Sequence, residues 1–149
     1  IMNFNGQKTF IFKFKNGELL ILFADLDHLK EINDSFGHIE GDFSIRHCAE
    51  VLKKVVGADG IVGRIGGDEF CVVTLGNLKD GQQIIERIRE ESDAFNCTSD
   101  KEYYVELSAG CTSVICRNGL VIADALREAD RALYEVKKLR RNSVKKIRL

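Results

Sequence analysis

Two acidic pairs carry the clearest chemical signal in this 149-residue sequence: Asp25 with Asp27, and Asp68 with Glu69. Asp25 closes the apolar run Glu18 to Asp25. Asp68 and Glu69 follow Gly66 and Gly67 in a tight turn between two apolar runs. Carboxylates brought close together repel unless a proton or a cation lies between them. Oxygen ligands with no Cys or His nearby favour Mg²⁺ or Mn²⁺ over zinc. The competing reading is that these residues only end strands and furnish turns, as Asp often does. Gly66 and Gly67 are equally double-edged: glycine pairs make common hairpin turns, and they also let a ligand approach the backbone closely.

Between the acidic pairs lie Asn33 and Asp42, polar residues near helix boundaries. One reading is capping. The other is base recognition, because a carboxylate can accept both N–H donors on the Watson–Crick edge of guanine while an amide offers a donor and an acceptor. Such a site rejects adenine. Towards the C-terminus Lys137, Lys138, Arg140, Arg141, Lys145, Lys146 and Arg148 form a basic stretch with no acidic residue. Cations at a helix C-terminus are favourable through the dipole; phosphate binding by one or two of them is the sharper reading.

These side chains need elements to place them. Glu18 to Asp25, preceded by the turn signal Asn16-Gly17, has the length of a central strand. Ile45, Cys48, Ala49, Leu52, Val55 and Val56 recur at helical spacing, and glycines between Gly57 and Gly60 end that helix. Ile61 to Arg64 and Phe70 to Leu75 read as a hairpin around the glycine turn. Ile84, Ile85, Ile88 and Phe95 mark a second helix, Tyr103 to Ile115 a strand, and Ile122 to Val136 a third helix with a clear apolar stripe. The order predicts an α+β domain with a ferredoxin-like βαββαβ core, two helices covering one face of an antiparallel sheet. In such a sheet the end of the first strand lies beside the central hairpin, so Asp25 and Asp68 converge at one edge. Phe10, Phe12 and Phe14 alternate like a strand, while Phe10 and Phe14 also stack at helical spacing, so the first fifteen residues stay open between the two.

Composition narrows the classes. The length suits one domain spanning residues 1–149. Lys and Arg total 22 against 23 for Asp and Glu, which gives no support to a nucleic-acid wrapping protein. No apolar run is long enough to span a bilayer, and no signal peptide is visible. Five cysteines, four of them inside apolar periodic segments, read as reduced core residues of a cytoplasmic protein.

Taken together, Phe23-Ala24-Asp25-Leu26-Asp27-His28-Leu29-Lys30, Ile32 to His38, Gly41-Asp42, Arg64 to Phe70, Ser108-Ala109-Gly110 and Ala129 to Lys137 resemble the GGDEF family of diguanylate cyclases in order and spacing. The resemblance runs from about Glu18 to Asn142. It implies a sheet of the nucleotide-cyclase and polymerase-palm type that condenses two GTP into cyclic di-GMP and two pyrophosphates. By resemblance Asp25, Asp68, Glu69 and the Leu26 carbonyl hold Mg²⁺ or Mn²⁺, Asp68 and Glu69 are catalytic, and Glu69 assists deprotonation of the attacking 3′-hydroxyl. Asn33 and Asp42 read guanine. Lys30, Lys137, Arg141 and the backbone amides around His28, Leu29 and Lys30 hold the triphosphate, and Gly66 and Gly67 let the nucleotide lie against the hairpin. Each domain takes one GTP, so the resemblance implies a transient antiparallel homodimer.

The departures carry expectations of their own. The family's opening D-x-L-T-G-L-x-N-R segment is missing, which points to a chain beginning inside a longer polypeptide with a sensory domain upstream. Arg140 replaces a family glycine in Val136-Lys137-Lys138-Leu139-Arg140-Arg141-Asn142. The inhibitory R-x-x-D motif falls on Gly57-Ala58-Asp59-Gly60, so product inhibition through that site is not expected. Asp42 favours GTP at both positions over a mixed dinucleotide. Two other readings stand beside the enzyme: a non-catalytic GTP-binding sensor, and a ferredoxin-like interaction domain without nucleotide.

Overall fold

The computed structural model describes residues 17–115 and 122–147, with side chains described at 17–115 and 124–139. The phenylalanines at 10, 12 and 14 and the cysteine at 116 lie outside the described residues. In chain order the elements are β1 (Glu18–Leu26), α1 (Leu29–Phe36), α2 (His38–Val56), β2 (Ile61–Arg64), β3 (Glu69–Leu75), α3 (Leu78–Thr98), β4 (Leu107–Ile115) and α4 (Ile122–Ile147). The strands form one sheet in the order β2-β3-β1-β4, antiparallel at every pairing. That is the ferredoxin-like order, as the pattern predicts.

β1 is apolar on both faces because it lies inside the sheet with helices on either side. Leu22, Ala24 and Leu26 face a core with Cys48, Leu52 and Val55 of α2 and Ile88 of α3. Leu19, Ile21 and Phe23 face the opposite way, against Ala125 and Ala129 of α4. The expectation of helices on one face is therefore incomplete: α2 and α3 cover one face and α4 covers the other. Strand periodicity explains the split, since alternate residues point to opposite faces.

Several boundaries shift from expectation. Asp25 lies inside β1, paired on both sides, and does not close the strand. Glu69 opens β3 and does not belong to the turn. The first helical segment is two helices, joined at Gly37, whose φ of +88° is one that side chains rarely adopt. β4 begins at Leu107 because the preceding residues are fastened elsewhere: Asn96 on α3 makes two hydrogen bonds to the Val105 backbone, at 2.9 and 3.1 Å. α3 starts three residues after β3, where Asn77 and Asp80 cap each other reciprocally.

α4 seats unusually close to the sheet. A Cβ at Gly110 would lie 2.2 Å from the backbone nitrogen of Leu133, so only glycine admits the helix there. Ala125, Ala129 and Leu133 continue the contact stripe along α4, four residues apart and all buried. The next position on that stripe is Lys137, and the sheet meets it with a carboxylate.

Cys48 and Cys71 are buried, and burial pushes both thiols up to about 12. Cys111 is partly buried and shifted the same way, whereas Cys97 is exposed.

Candidate active site

The site grows out of sheet register. On the α4 face Asp25 stands in one row with Glu69 of β3 on one side and Ser108 of β4 on the other. The Leu26 amide donates to the Asp68 carbonyl at 3.0 Å, which locks the end of β1 to the loop before β3. Asp25 and Asp68 thus converge at the sheet edge, as the pattern predicts.

The electrostatics of Asp25 follow from that placement. Its side chain is only 7% exposed, and the Lys137 ammonium lies 2.6 Å from its Oδ2. Burial, the largest influence, raises its pKa; the hydrogen bond and charge of Lys137 lower it, and the charges of Asp68 and Asp27 raise it again. The balance is a carboxylate held above its ordinary range, chiefly by burial, even with a lysine on it. The Asp68 and Asp27 carboxylates lie near enough for their charges to act on it. No group of three or more His, Cys, Asp and Glu arranged to hold a metal occurs among the described residues. A Mg²⁺-like ion fits that pattern, since it is commonly bound by one or two carboxylates with water and substrate phosphates completing the shell.

Asp27, just beyond β1, is held to the Ser108 end of this row. Its amide donates to the Glu106 carbonyl at 2.9 Å, and the buried Ser108 hydroxyl donates to its carboxylate, 2.9 Å from either oxygen. The chain then enters α1 through His28, the one non-glycine residue with positive φ among those described (62°). No side-chain cap hydrogen bond closes α1, and Lys30 is exposed in that first turn, where Glu31 bonds its own backbone amide.

The hairpin turn is clamped by a residue to which sequence reasoning gave no role. Arg64 donates from Nε and Nη2 to the carbonyls of Gly66 and Gly67, at 2.7 to 3.1 Å. Neither glycine needs a left-handed conformation. Their value is space: a Cβ at Gly67 would meet nothing within 4 Å, and one at Gly66 would sit 3.0 Å from the Glu69 carboxylate.

Asn33 and Asp42 occupy a separate corner, on α1 and α2. The Asn33 side chain lies directly over Gly41, where a Cβ would come within 2.0 Å of its Oδ1. Asp42 is the next residue and is exposed. Neither α1 nor α2 has a side-chain cap at its N-terminus, so the capping reading of these two residues fails there. The side chains of Arg140 and Arg141 lie outside the described residues, and so does the expected phosphate contact of Arg141.

Residues 11–143 match the family model described as "Diguanylate cyclase, GGDEF domain". Among curated proteins, the chain is 34% identical over 130 residues to the probable diguanylate cyclase DgcT of Escherichia coli K12, covering 83% of this chain and 28% of that protein. It is 38% identical over 126 residues to diguanylate cyclase DgcP of the same strain, covering 83% and 36%. The chain thus spans little more than a third of these relatives at most. Among solved structures, the active GGEEF domain of a diguanylate cyclase from Vibrio cholerae superposes with TM-score 0.73 at 28% identity, covering 90% of this chain and 81% of that one. The GGDEF domain of DgcB from Caulobacter crescentus in complex with c-di-GMP superposes with TM-score 0.71 at 27% identity, covering 81% and 72%. With the intact Gly66-Gly67-Asp68-Glu69-Phe70 turn set against a buried aspartate in the neighbouring strand, the chain belongs to the GGDEF domain family.

Proposed function

We propose that this domain is a diguanylate cyclase that joins two GTP molecules into cyclic di-GMP and releases two pyrophosphates. The observation that carries the reading is the buried Asp25 in register with Glu69, its backbone neighbour Leu26 bonded to Asp68, with Lys137 reaching it from α4. Asp25, Asp68, Glu69 and the Leu26 carbonyl would hold Mg²⁺ or Mn²⁺. When bound, such ions neutralise charge on the transferring and leaving phosphates and make a 3′-hydroxyl more nucleophilic.

The chain's own residues do the rest. Lys137, Lys30, Arg141 and the amides of His28, Leu29 and Lys30 hold the triphosphate. Asn33 and Asp42 fix the guanine, and the open surface of Gly66 and Gly67 admits the nucleotide to the hairpin. Glu69 helps take the proton from the 3′-hydroxyl as its oxygen bonds to the α-phosphorus and the bond to pyrophosphate breaks. One domain holds one GTP, so two copies face each other antiparallel and each presents the other's attacking hydroxyl. Positioning two charged nucleotides is the main catalytic task, worth roughly 7–11 kcal/mol in favourable cases. The chain spans 28% and 36% of its curated relatives, and a linked sensory segment would be a natural controller of that pairing. The domain would act in the cytoplasm, where GTP is available.

Product inhibition through an R-x-x-D site is not part of this proposal. Gly57 has φ of +77°, and a Cβ at Gly60 would lie 1.9 Å from a Val56 methyl, so neither position suits the motif's Arg or Asp.

The test is incubation of the purified domain with GTP and Mg²⁺ at several protein concentrations, with chromatographic separation of the nucleotides. Cyclic di-GMP rising more steeply than protein concentration supports a reaction between two domains. GTP bound tightly but unchanged at every concentration would instead make the domain a sensor.

A further inference from the structure

The guanine corner is exposed and stands on two short-linked helices, so something must hold it in shape. α1 and α2 meet at Gly37, and Asn33 reaches Gly41 across that junction. One residue before Gly41, Glu40 points the other way, into the 99–106 segment that connects α3 to β4. Its Oε2 accepts from the Lys101 ammonium at 2.6 Å and from the Tyr103 hydroxyl at 2.5 Å. Both members of the ion pair are about 30% exposed, so the contact is half-buried and less screened than a surface pair.

The same two residues also touch the helices through their faces. The Tyr103 ring packs on Phe36 at the end of α1, with centroids 5.0 Å apart. The Lys101 ammonium sits 4.4 Å over the ring of Phe43 on α2. The segment itself is pinned at its far end, by Asn96 to Val105 and by the Glu106 carbonyl to the Asp27 amide. It therefore ties both helices back to the sheet end that carries Asp25.

We infer that Glu40, with Tyr103 and Lys101, forms a strap that sets the angle between α1 and α2, and that this setting determines how well Asn33 and Asp42 read guanine. Three consecutive residues divide the work: Glu40 holds the strap, Gly41 seats Asn33, and Asp42 faces outward. Glu40 is a positioning residue and touches no substrate. A small turn of α2 about its axis moves Asp42 relative to Asn33, and two hydrogen-bonding groups that must meet one base edge tolerate little such movement. The inference rests on the proposed guanine contacts of Asn33 and Asp42.

Titrating the domain with GTP and with ATP separates the possibilities, because ATP shares the triphosphate and lacks the guanine edge. The wild-type domain prefers GTP. Glu40→Gln and Tyr103→Phe each lower GTP affinity roughly three- to tenfold, the scale of one lost hydrogen bond, while ATP affinity stays within about twofold. In turnover the KM for GTP rises by the same factor and kcat holds. Tyr103→Phe keeps the ring on Phe36 and loses only the hydroxyl, so it serves if Glu40→Gln folds poorly. Equal weakening of GTP and ATP would make the strap merely structural and overturn the inference, as would no change in either. A wild-type domain that binds ATP as well as GTP removes the guanine reading itself, and that failure is visible before any variant is made.

Discussion

The carboxylate edge and the corner proposed to read guanine are built by opposite means. Asp25, Glu69 and Ser108 are aligned by backbone pairing in a sheet buried on both faces, so their relative positions are fixed many times over. Asn33 and Asp42 ride on helices joined at one glycine, and their spacing depends on a handful of side-chain contacts. The difference suits the two tasks. Chemistry on phosphate needs a rigid, partly dry site where charge is strong, whereas recognition of a base needs access for the ligand. It follows that changes at the edge should damage chemistry or folding, and changes at the corner should damage recognition with little effect on folding.

The largest effect should come from the edge. Asp25→Asn removes the buried carboxylate and leaves Lys137 without its partner; cyclic di-GMP formation should fall about 10³-fold or more, on the scale of losing a main electrostatic stabiliser. A variant keeping a tenth of wild-type turnover at saturating Mg²⁺ would remove Asp25 from the reaction.

Next is Gly110→Ala, at the edge's supporting face. The added methyl meets α4 backbone, which cannot swing aside as a side chain can, so a loss of about 3 kcal/mol is expected in urea unfolding. Activity should fall with it, because α4 carries Lys137. An unchanged unfolding midpoint would mean that α4 seats less closely than described.

Gly41→Ala gives the contrast at the corner. The atoms its new methyl meets first all belong to the Asn33 side chain, which can turn aside, so the melting temperature should barely move while GTP affinity falls about tenfold. Strong destabilisation in this variant would erase the distinction between the two regions.

The smallest effect is a pH dependence of the strap. The hydrogen bonds from Lys101 and Tyr103 hold the Glu40 carboxyl below its ordinary value of 4.5. A depressed carboxylate pKa contributes stability that is present above the ordinary value and is lost as pH falls through the folded value. Burial and the bond to Glu40 push Tyr103 above its ordinary 10.0, so its contribution is present below that value and lost as pH rises through the folded one. The difference in melting temperature between wild type and Glu40→Gln should therefore be flat between about pH 4.5 and 10 and shrink on both sides. A difference that does not vary with pH would show that the strap acts through packing alone.

Much of the edge was legible in the sequence. An apolar run ending in Asp25, a glycine turn bearing Asp68, and a helical stripe running to Val136 each follow from period and turn chemistry, which are local properties. The row that joins Asp25 to Glu69 and Ser108 needed strand register, which is set by pairing across the sheet. Two helices do cover one face, as the pattern predicts, but the third was left unplaced for the same reason: periodicity shows that a helix has an apolar side without saying which surface it covers.

At the corner the sequence marked Asn33 and Asp42 but left capping and recognition open. The structure removes the capping reading by leaving the helix N-termini without side-chain caps, and it seats Asn33 on Gly41. The strap had no local signal, because Glu40 lies 61 residues from Lys101 and 63 from Tyr103 along the chain. By itself, then, the sequence determined which residue types face which chemistry, since turns, strands and helices are written in short-range patterns. Only the tertiary structure decided which of them meet and what holds them there, because contacts between distant segments depend on how the whole core closes.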